Sequence, residues 1–157
     1  MSKIKYPEEI EVSLKTWVKL ARTFSTIYRK ASENIKSFGL TLPQFAVIEA
    51  LGHLGPLKVG DICNKMLATG GNMTLIIDNL EKLNMVKRVP SKKDRRVILI
   101  ELTAKGQKIF DDYFIQHAEY IKNLFSVLSL EEQKTLGNLL GRLGLGIVEH
   151  EKTSKSK

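Results

Sequence analysis

LATGGNMTLIIDNLEKLNMVKRVPSKKDRRVILIELT, residues 67–103, is the stretch on which the reading of the fold turns. Thr69-Gly70-Gly71-Asn72 is turn chemistry, and the Thr69 hydroxyl can cap a helix that starts just after it. Met73, Ile76, Ile77, Leu80 and Leu83 follow at three- and four-residue steps, the spacing of one apolar helix face. The opposite face carries Asn72, Thr74, Leu75, Asp78, Asn79 and Lys82. This spacing predicts a helix over 70–83, ended by Asn84, which tolerates left-handed geometry as glycine does. Two short β-prone runs come next, 85–89 and 96–102, separated by Pro90-Ser91-Lys92-Lys93-Asp94. From Lys87 to Arg96 there are six basic residues and one acidic residue. A polar-faced helix followed by a hairpin with a basic tip suits a nucleic-acid groove and the phosphates beside it.

Upstream, Thr41-Leu42-Pro43-Gln44 is a capping box that opens a helix through Val47, Ile48, Leu51 and Leu54, closed by Gly55-Pro56. Val59, Ile62, Cys63 and Met66 mark a short helix. A short helix, a turn holding Gly70 and Gly71, and a longer helix make a helix-turn-helix. Downstream, Thr103 caps a helix with Phe110, Tyr113, Phe114, His117, Ile121, Leu124 and Leu128 on one side. Ser129-Leu130-Glu131-Glu132 is a second capping box, and the last helix shows Leu136, Leu139, Leu140, Leu143 and Ile147. Gly137, Gly141, Gly144 and Gly146 lower its intrinsic helicity. They either admit a close partner helix or belong to a helix that forms only when packed.

At the other end Pro7 and Glu8 suit the first turn of a helix. Ile10, Leu14, Trp17, Ala21, Phe24, Tyr28, Ala31 and Ile35 then form a stripe over about seven turns, ending near Gly39. So long a stripe exceeds what a small domain of the same chain covers, and it reads as a dimer interface. The alternative is a helix lying across its own core.

The 157 residues suggest one domain or one compact dimer subunit, and 43% apolar with 27% charged residues describes a globular chain. A net charge of +8 favours a polyanionic partner, either nucleic acid or an acidic membrane surface. No apolar run reaches the length of a membrane span, and the N-terminus lacks a signal-like core. The single cysteine, Cys63, excludes an internal disulfide and fits a reducing compartment, so a cytoplasmic location is expected. There is no phosphate-binding glycine loop, no HExxH and no paired-cysteine spacing, and the histidines stand singly at His53, His117 and His150. Catalysis, a cofactor and a metal are therefore not expected. A site built from His53, Cys63 and a distant carboxylate is a remote alternative.

The run 70–88, the tripeptide Asp94-Arg95-Arg96 and the step Leu102-Thr103-Ala104-Lys105-Gly106 resemble the MarR family of winged helix-turn-helix regulators, over roughly residues 38–110. The resemblance implies a mainly α fold with a small β-hairpin wing, its DNA-binding lobe at 40–103 and its dimerisation helices at 1–38 and 104–150. Residues 151–157 would be a frayed basic tail. It further implies a homodimeric bacterial or archaeal regulator, usually a repressor, on a pseudo-palindromic double-stranded DNA operator. Release by a small aromatic ligand or an oxidant completes that picture. The rival reading is a basic winged-helix module for protein interaction or RNA association, with no operator.

Within that frame the candidate DNA-binding residues are Thr69, Gly71, Asn72, Thr74, Leu75, Asn79 and Lys82 on the helix, and Lys92, Lys93, Arg95 and Arg96 in the wing. Asparagine can bond adenine through two contacts, and Leu75 suits thymine methyl groups. Asp94 and Arg96, two residues apart, would share a face of an extended strand and pair, bracing the wing. Arg95 and the lysines would then serve phosphates or a narrow A·T-rich minor groove, unless the tip is merely a solvated basic turn. Trp17, Phe24, Tyr28, Phe38, Phe45, Tyr113 and Phe114 come from helices expected to meet beneath this lobe. They are either plain core or, at Trp17, Phe24, Tyr28 and Phe45, the lining of an effector pocket. Cys63 reads as a small hydrophobe; the alternative is an oxidant sensor, although relatives in the family place the reactive cysteine on the first helix, where this chain has none.

Overall fold

The computed structural model describes residues 5–66 and 70–154. Thr69, and with it the expected cap of the recognition helix, lies outside the described residues, as does the end of the basic tail at 155–157. The order of elements is α1 (Glu8–Lys36), α2 (Leu42–Leu54), α3 (Val59–Met66), α4 (Gly70–Lys82), β1 (Val86–Pro90), β2 (Ile98–Leu102), α5 (Ala104–Phe125) and α6 (Leu130–Ser154). The chain divides into two compact units, Met1–Tyr120 and Ile121–Lys157.

The first unit is built on one core. Ile35, Phe45, Val47, Ile48, Ile62, Met73, Ile77, Leu80, Val86 and Ile100 are fully buried and belong to one cluster. Each such side chain contributes roughly 1.5–3 kcal/mol by leaving water, so this cluster is what seats α4. The cap of α2 forms as its sequence requires: the Gln44 N–H donates to Thr41 Oγ1 at 3.4 Å, and the Thr41 N–H donates to Gln44 Oε1 at 2.9 Å. At the other end of α2 Leu54 is exposed rather than apolar-face core, because Gly55, at φ 74°, ends the helix beside it.

Asn84 takes φ 55°, and the N–H groups of Asn84 and Met85 donate to the carbonyls of Glu81 and Leu80 at 2.8 and 2.9 Å. That is a Schellman ending with asparagine in the usual glycine place. It also explains two departures from the sequence reading. Leu83, expected on the apolar face, is 40% exposed because the chain leaves the helix there. Met85, expected in the first strand, is spent on the cap, so β1 begins at Val86.

The two strands pair antiparallel with Arg88 opposite Ile100 and Lys87 opposite Glu101. β2 starts at Ile98 rather than at residue 96, because Asp94 to Val97 form a turn closed by the Val97 N–H on the Asp94 carbonyl at 2.9 Å. A third partner joins them that no local pattern marks. Leu57, between α2 and α3, bridges Ile100 with hydrogen bonds of 3.1 and 2.8 Å and ties the hairpin to the helix-turn-helix.

A tight joint links α4 to α5. Thr103 Oγ1 donates to the Asn84 carbonyl at 2.7 Å and accepts from the Gly106 N–H at 3.1 Å, while Lys105 Nζ reaches the Leu83 carbonyl at 2.9 Å. Lys105 thus satisfies a carbonyl at the negative end of α4. Farther along α5, the buried His117 ring bonds Asn34 Oδ1 through Nδ1 at 2.8 Å and meets Phe45 edge-on.

Only the last two turns of α1 join the core, through Ala31 and Ile35. Apart from the half-buried Ala21, the rest of its stripe stands in solvent: Ile10, Leu14, Trp17, Val18, Phe24 and Tyr28 are all exposed, Trp17 at 64%. In the second unit, α6 carries the expected capping box, with the Ser129 N–H on Glu132 Oε2 at 2.7 Å and the Glu132 N–H on Ser129 Oγ at 3.3 Å. Leu136, Leu139, Leu140, Leu143 and Ile147 along that helix are exposed as well.

Candidate nucleic-acid interface

Burial of Met73, Ile76, Ile77 and Leu80 turns the other side of α4 outward. Helical geometry divides that side into two rows. Asn72, Leu75, Asn79 and Lys82 run along one, where Asn72, Leu75 and Lys82 are exposed and Asn79 half-buried. Leu75, at 59%, is an apolar side chain held out to solvent on a helix whose opposite face is core. Thr74, Asp78 and Glu81 form the second row, nearer the hairpin. Gly71 is exposed in the first turn, and a Cβ there would meet nothing within 4 Å.

The six cations from Lys87 to Arg96 are not equivalent. Arg88 donates from Nη2 to Asp78 Oδ1 at 2.6 Å and from Nη1 to Glu81 Oε2. Lys87 pairs with Glu101, its cross-strand neighbour, at 2.8 Å. Arg96 is joined to Asp94. Lys92, Lys93 and Arg95, all exposed, have no ion pair among the described residues, and these three concentrate positive charge at the wing tip. The sequence reading counted Arg88 only as charge. Its signal was present, two acids one turn apart on a helix and an arginine in the next strand, but it required the strand register to be seen. Lys87 and Glu101 are the same case.

Asp94 makes its contacts in a turn, not across one face of an extended strand as the spacing suggested. Its Oδ1 accepts from the Arg96 backbone N–H at 3.0 Å and from Arg96 Nε at 3.1 Å, and Oδ2 accepts from Nη2 at 3.1 Å. The guanidinium and then the backbone N–H of Arg96 hold the Asp94 carboxyl below its ordinary range, with a smaller pull from Lys58. Arg88, conversely, is pushed further toward the charged form, first by its hydrogen bond to Asp78.

The four aromatic residues considered for an effector pocket are not brought together within one chain. Phe45 is wholly buried against Phe38 and His117. Trp17, Phe24 and Tyr28 stand exposed on α1, with the Phe24 and Tyr28 rings 5.8 Å apart. An open groove of about 420 Å³ lies elsewhere, lined by Ala46, Glu49, Ala50, His53 and Leu54 of α2 and by Lys65 and Met66 of α3. Burial raises the Glu49 carboxyl there, against an opposing pull from His53. Cys63 is half-buried and packs against the core. Among the described residues no cluster of His, Cys, Asp and Glu could hold a metal, and no helix is long and apolar enough to cross a membrane.

Known proteins share this arrangement. The MarR family profile matches residues 40–98. The HTH-type transcriptional regulator MhqR of Bacillus subtilis (strain 168) is 36% identical over 135 residues, spanning 86% of this chain and 93% of its own. The S. aureus MepR–DNA complex superposes with a TM-score of 0.74 at 25% identity, over 83% of this chain and 97% of that one. AbsC of Streptomyces coelicolor, at 17% identity, shares the fold with a TM-score of 0.79 over 94% and 99% of the two chains. The chain belongs to the MarR family, a family of DNA-binding transcriptional regulators and not of enzymes.

Proposed function

We propose that this protein is a homodimeric, sequence-specific DNA-binding repressor in which α4 reads the major groove and the wing reaches the adjacent minor groove. The observation that carries the reading is the pairing of one exposed row, Asn72, Leu75, Asn79 and Lys82, with three wing cations that no acid of the described chain neutralises. Base edges are read by short polar and apolar side chains on a helix, whereas phosphates are met by flexible cations beside it. That the MepR relative was solved on DNA supports the same partner here.

The dimer is supported by the two apolar faces, on α1 and on α6, that the single chain leaves in water. Contiguous apolar surface of this extent marks an association site. A two-fold dimer makes the operator pseudo-palindromic, with half-sites about 34 Å or a multiple of it apart. A small aromatic effector belongs to the same reading, through the family resemblance and the aromatic side chains that α1 exposes. Its signature would be lower operator affinity together with a higher melting temperature, because a ligand of the folded state stabilises it.

A gel shift on the DNA upstream of the protein's own coding sequence, with random competitor present, tests the function. Retention of a shifted band under competitor supports the operator reading. Loss of the band at the same competitor level, or preference for RNA of any sequence, favours the basic interaction module instead.

A further inference from the structure

We propose that Arg88 is a positioning residue for sequence recognition: it contacts no phosphate, and it sets the angle between the recognition helix and the wing by clamping Asp78 and Glu81. This inference rests on the DNA-binding reading given above and deepens it.

Three observations converge on it. The Arg88 guanidinium is engaged at both terminal nitrogens by carboxylates one helical turn apart on α4. A planar fork can span two acids in a fixed geometry, which an ammonium cannot do. Next, Arg88 sits opposite Ile100 in the strand register. Ile100 is fully buried and bridged to Leu57, so the backbone from which Arg88 reaches is anchored to the core through its cross-strand partner. Last, the Arg88 side chain is 33% exposed against 91% for Arg96, so it lies folded along the protein rather than held out toward a ligand. The clamp also offsets one of the two negative charges that Asp78 and Glu81 bring to a face that must approach phosphates. Arg88 thereby joins the base-reading row to the phosphate-binding tip as one rigid body.

The test uses the full chain as wild type, as Arg88→Ala, and as the paired variant Asp78→Asn with Glu81→Gln. Each is titrated over several salt concentrations on two duplexes of equal length. One is an operator recovered by selecting genomic fragments on the wild-type protein, and the other is random sequence. Arg88→Ala is expected to lose about tenfold or more on the operator and much less on random DNA. Its salt slope should stay unchanged, because a residue that touches no phosphate releases no counterion. The paired amides leave Arg88 its charge but weaken its anchor and remove two acids. Affinity for random DNA is then expected to rise while the operator-to-random ratio falls.

An equal loss on both DNAs, with a slope shallower by about one unit, would make Arg88 a phosphate contact and overturn the proposal. An unchanged ratio with a lower melting temperature would reduce its role to stability alone. Should Arg88→Ala not fold, the nearly isosteric amides decide, and affinity rising equally on both DNAs refutes the clamp. A wild-type chain that does not distinguish operator from random DNA rejects the operator reading itself, and any specificity role for Arg88 with it.

Discussion

A Cβ built on Gly106 would stand 2.0 Å from the Met85 carbonyl oxygen, a backbone atom that accepts from the Thr103 N–H at 3.1 Å. Gly106→Ala is therefore expected to cost about 1–3 kcal/mol through overpacking, or more if the backbone cannot shift. A thermal melt reads this directly. Wild-type stability would mean that the joint between α4 and α5 is looser than its hydrogen bonds imply.

Asp94 shows how magnitude sorts the contacts of one residue. Arg96 is 91% exposed, and an ion pair in that setting contributes little. The bond from the Arg96 N–H to Asp94 Oδ1 instead fixes the turn from which β2 departs. Asp94→Asn, which keeps an acceptor, should retain most DNA affinity, and Asp94→Ala should lose it despite removing a negative charge. Simple electrostatics orders the second effect the other way, so affinity at fixed salt separates the two. Because the folded carboxyl is shifted down, its bracing is complete above the ordinary carboxylate range and is lost as pH falls through the lowered folded value.

His117 has linkage of the same sign from a different cause. Burial shifts its folded pKa below the ordinary value, so the unfolded chain binds the proton more readily. Its contribution to stability is full above about pH 6.5 and is lost as pH drops below that. Melting temperatures across pH 5–8 should fall on the acid side, and less so in His117→Gln, which can still donate to Asn34. An equal acid-side fall in both proteins would remove His117 as the cause.

At the scale of elements, α4 was legible because its burial is set by period alone. Met73, Ile76, Ile77 and Leu80 recur as a helix face, and Asn84 is one of few residues that can end the helix as it does. Both capping boxes were legible for the same local reason. What escaped was non-local. The Leu57 bridge joins residues 43 apart in sequence, and the partners of Lys87 and Arg88 depend on register and on the seat of α4. Strand edges shifted wherever a cap or a turn competed for the same backbone groups, at Met85 and at residues 96 and 97. Of the interface, the cationic tip was visible as composition. The pairing of Arg96 with Asp94, which leaves Arg95 and the lysines available, was legible from spacing; the withdrawal of Lys87 and Arg88 into ion pairs was not.

That division carries a prediction for the two elements of the interface. Removing Lys92, Lys93 or Arg95 singly should weaken operator and random DNA alike and lower the salt slope by about one unit. Salt titrations on both DNAs check this, and an unchanged slope would place these side chains away from phosphate.

For the whole molecule, the exposed faces of α1 and α6 are the largest departure from what a monomer tolerates. Replacing Leu14 and Phe24 with charged residues should yield monomer or insoluble protein and should abolish tight operator binding, although every basic group remains. Sedimentation reads the mass, and a folded monomer with undiminished affinity would refute the dimer. The central claim, that α4 reads sequence while the wing supplies charge, is tested most directly by the affinity of Asn72→Ala for operator and for random DNA. The expected result is a loss of roughly 1–3 kcal/mol on the operator with random binding nearly unchanged. An equal loss on both DNAs, or none on either, would contradict it.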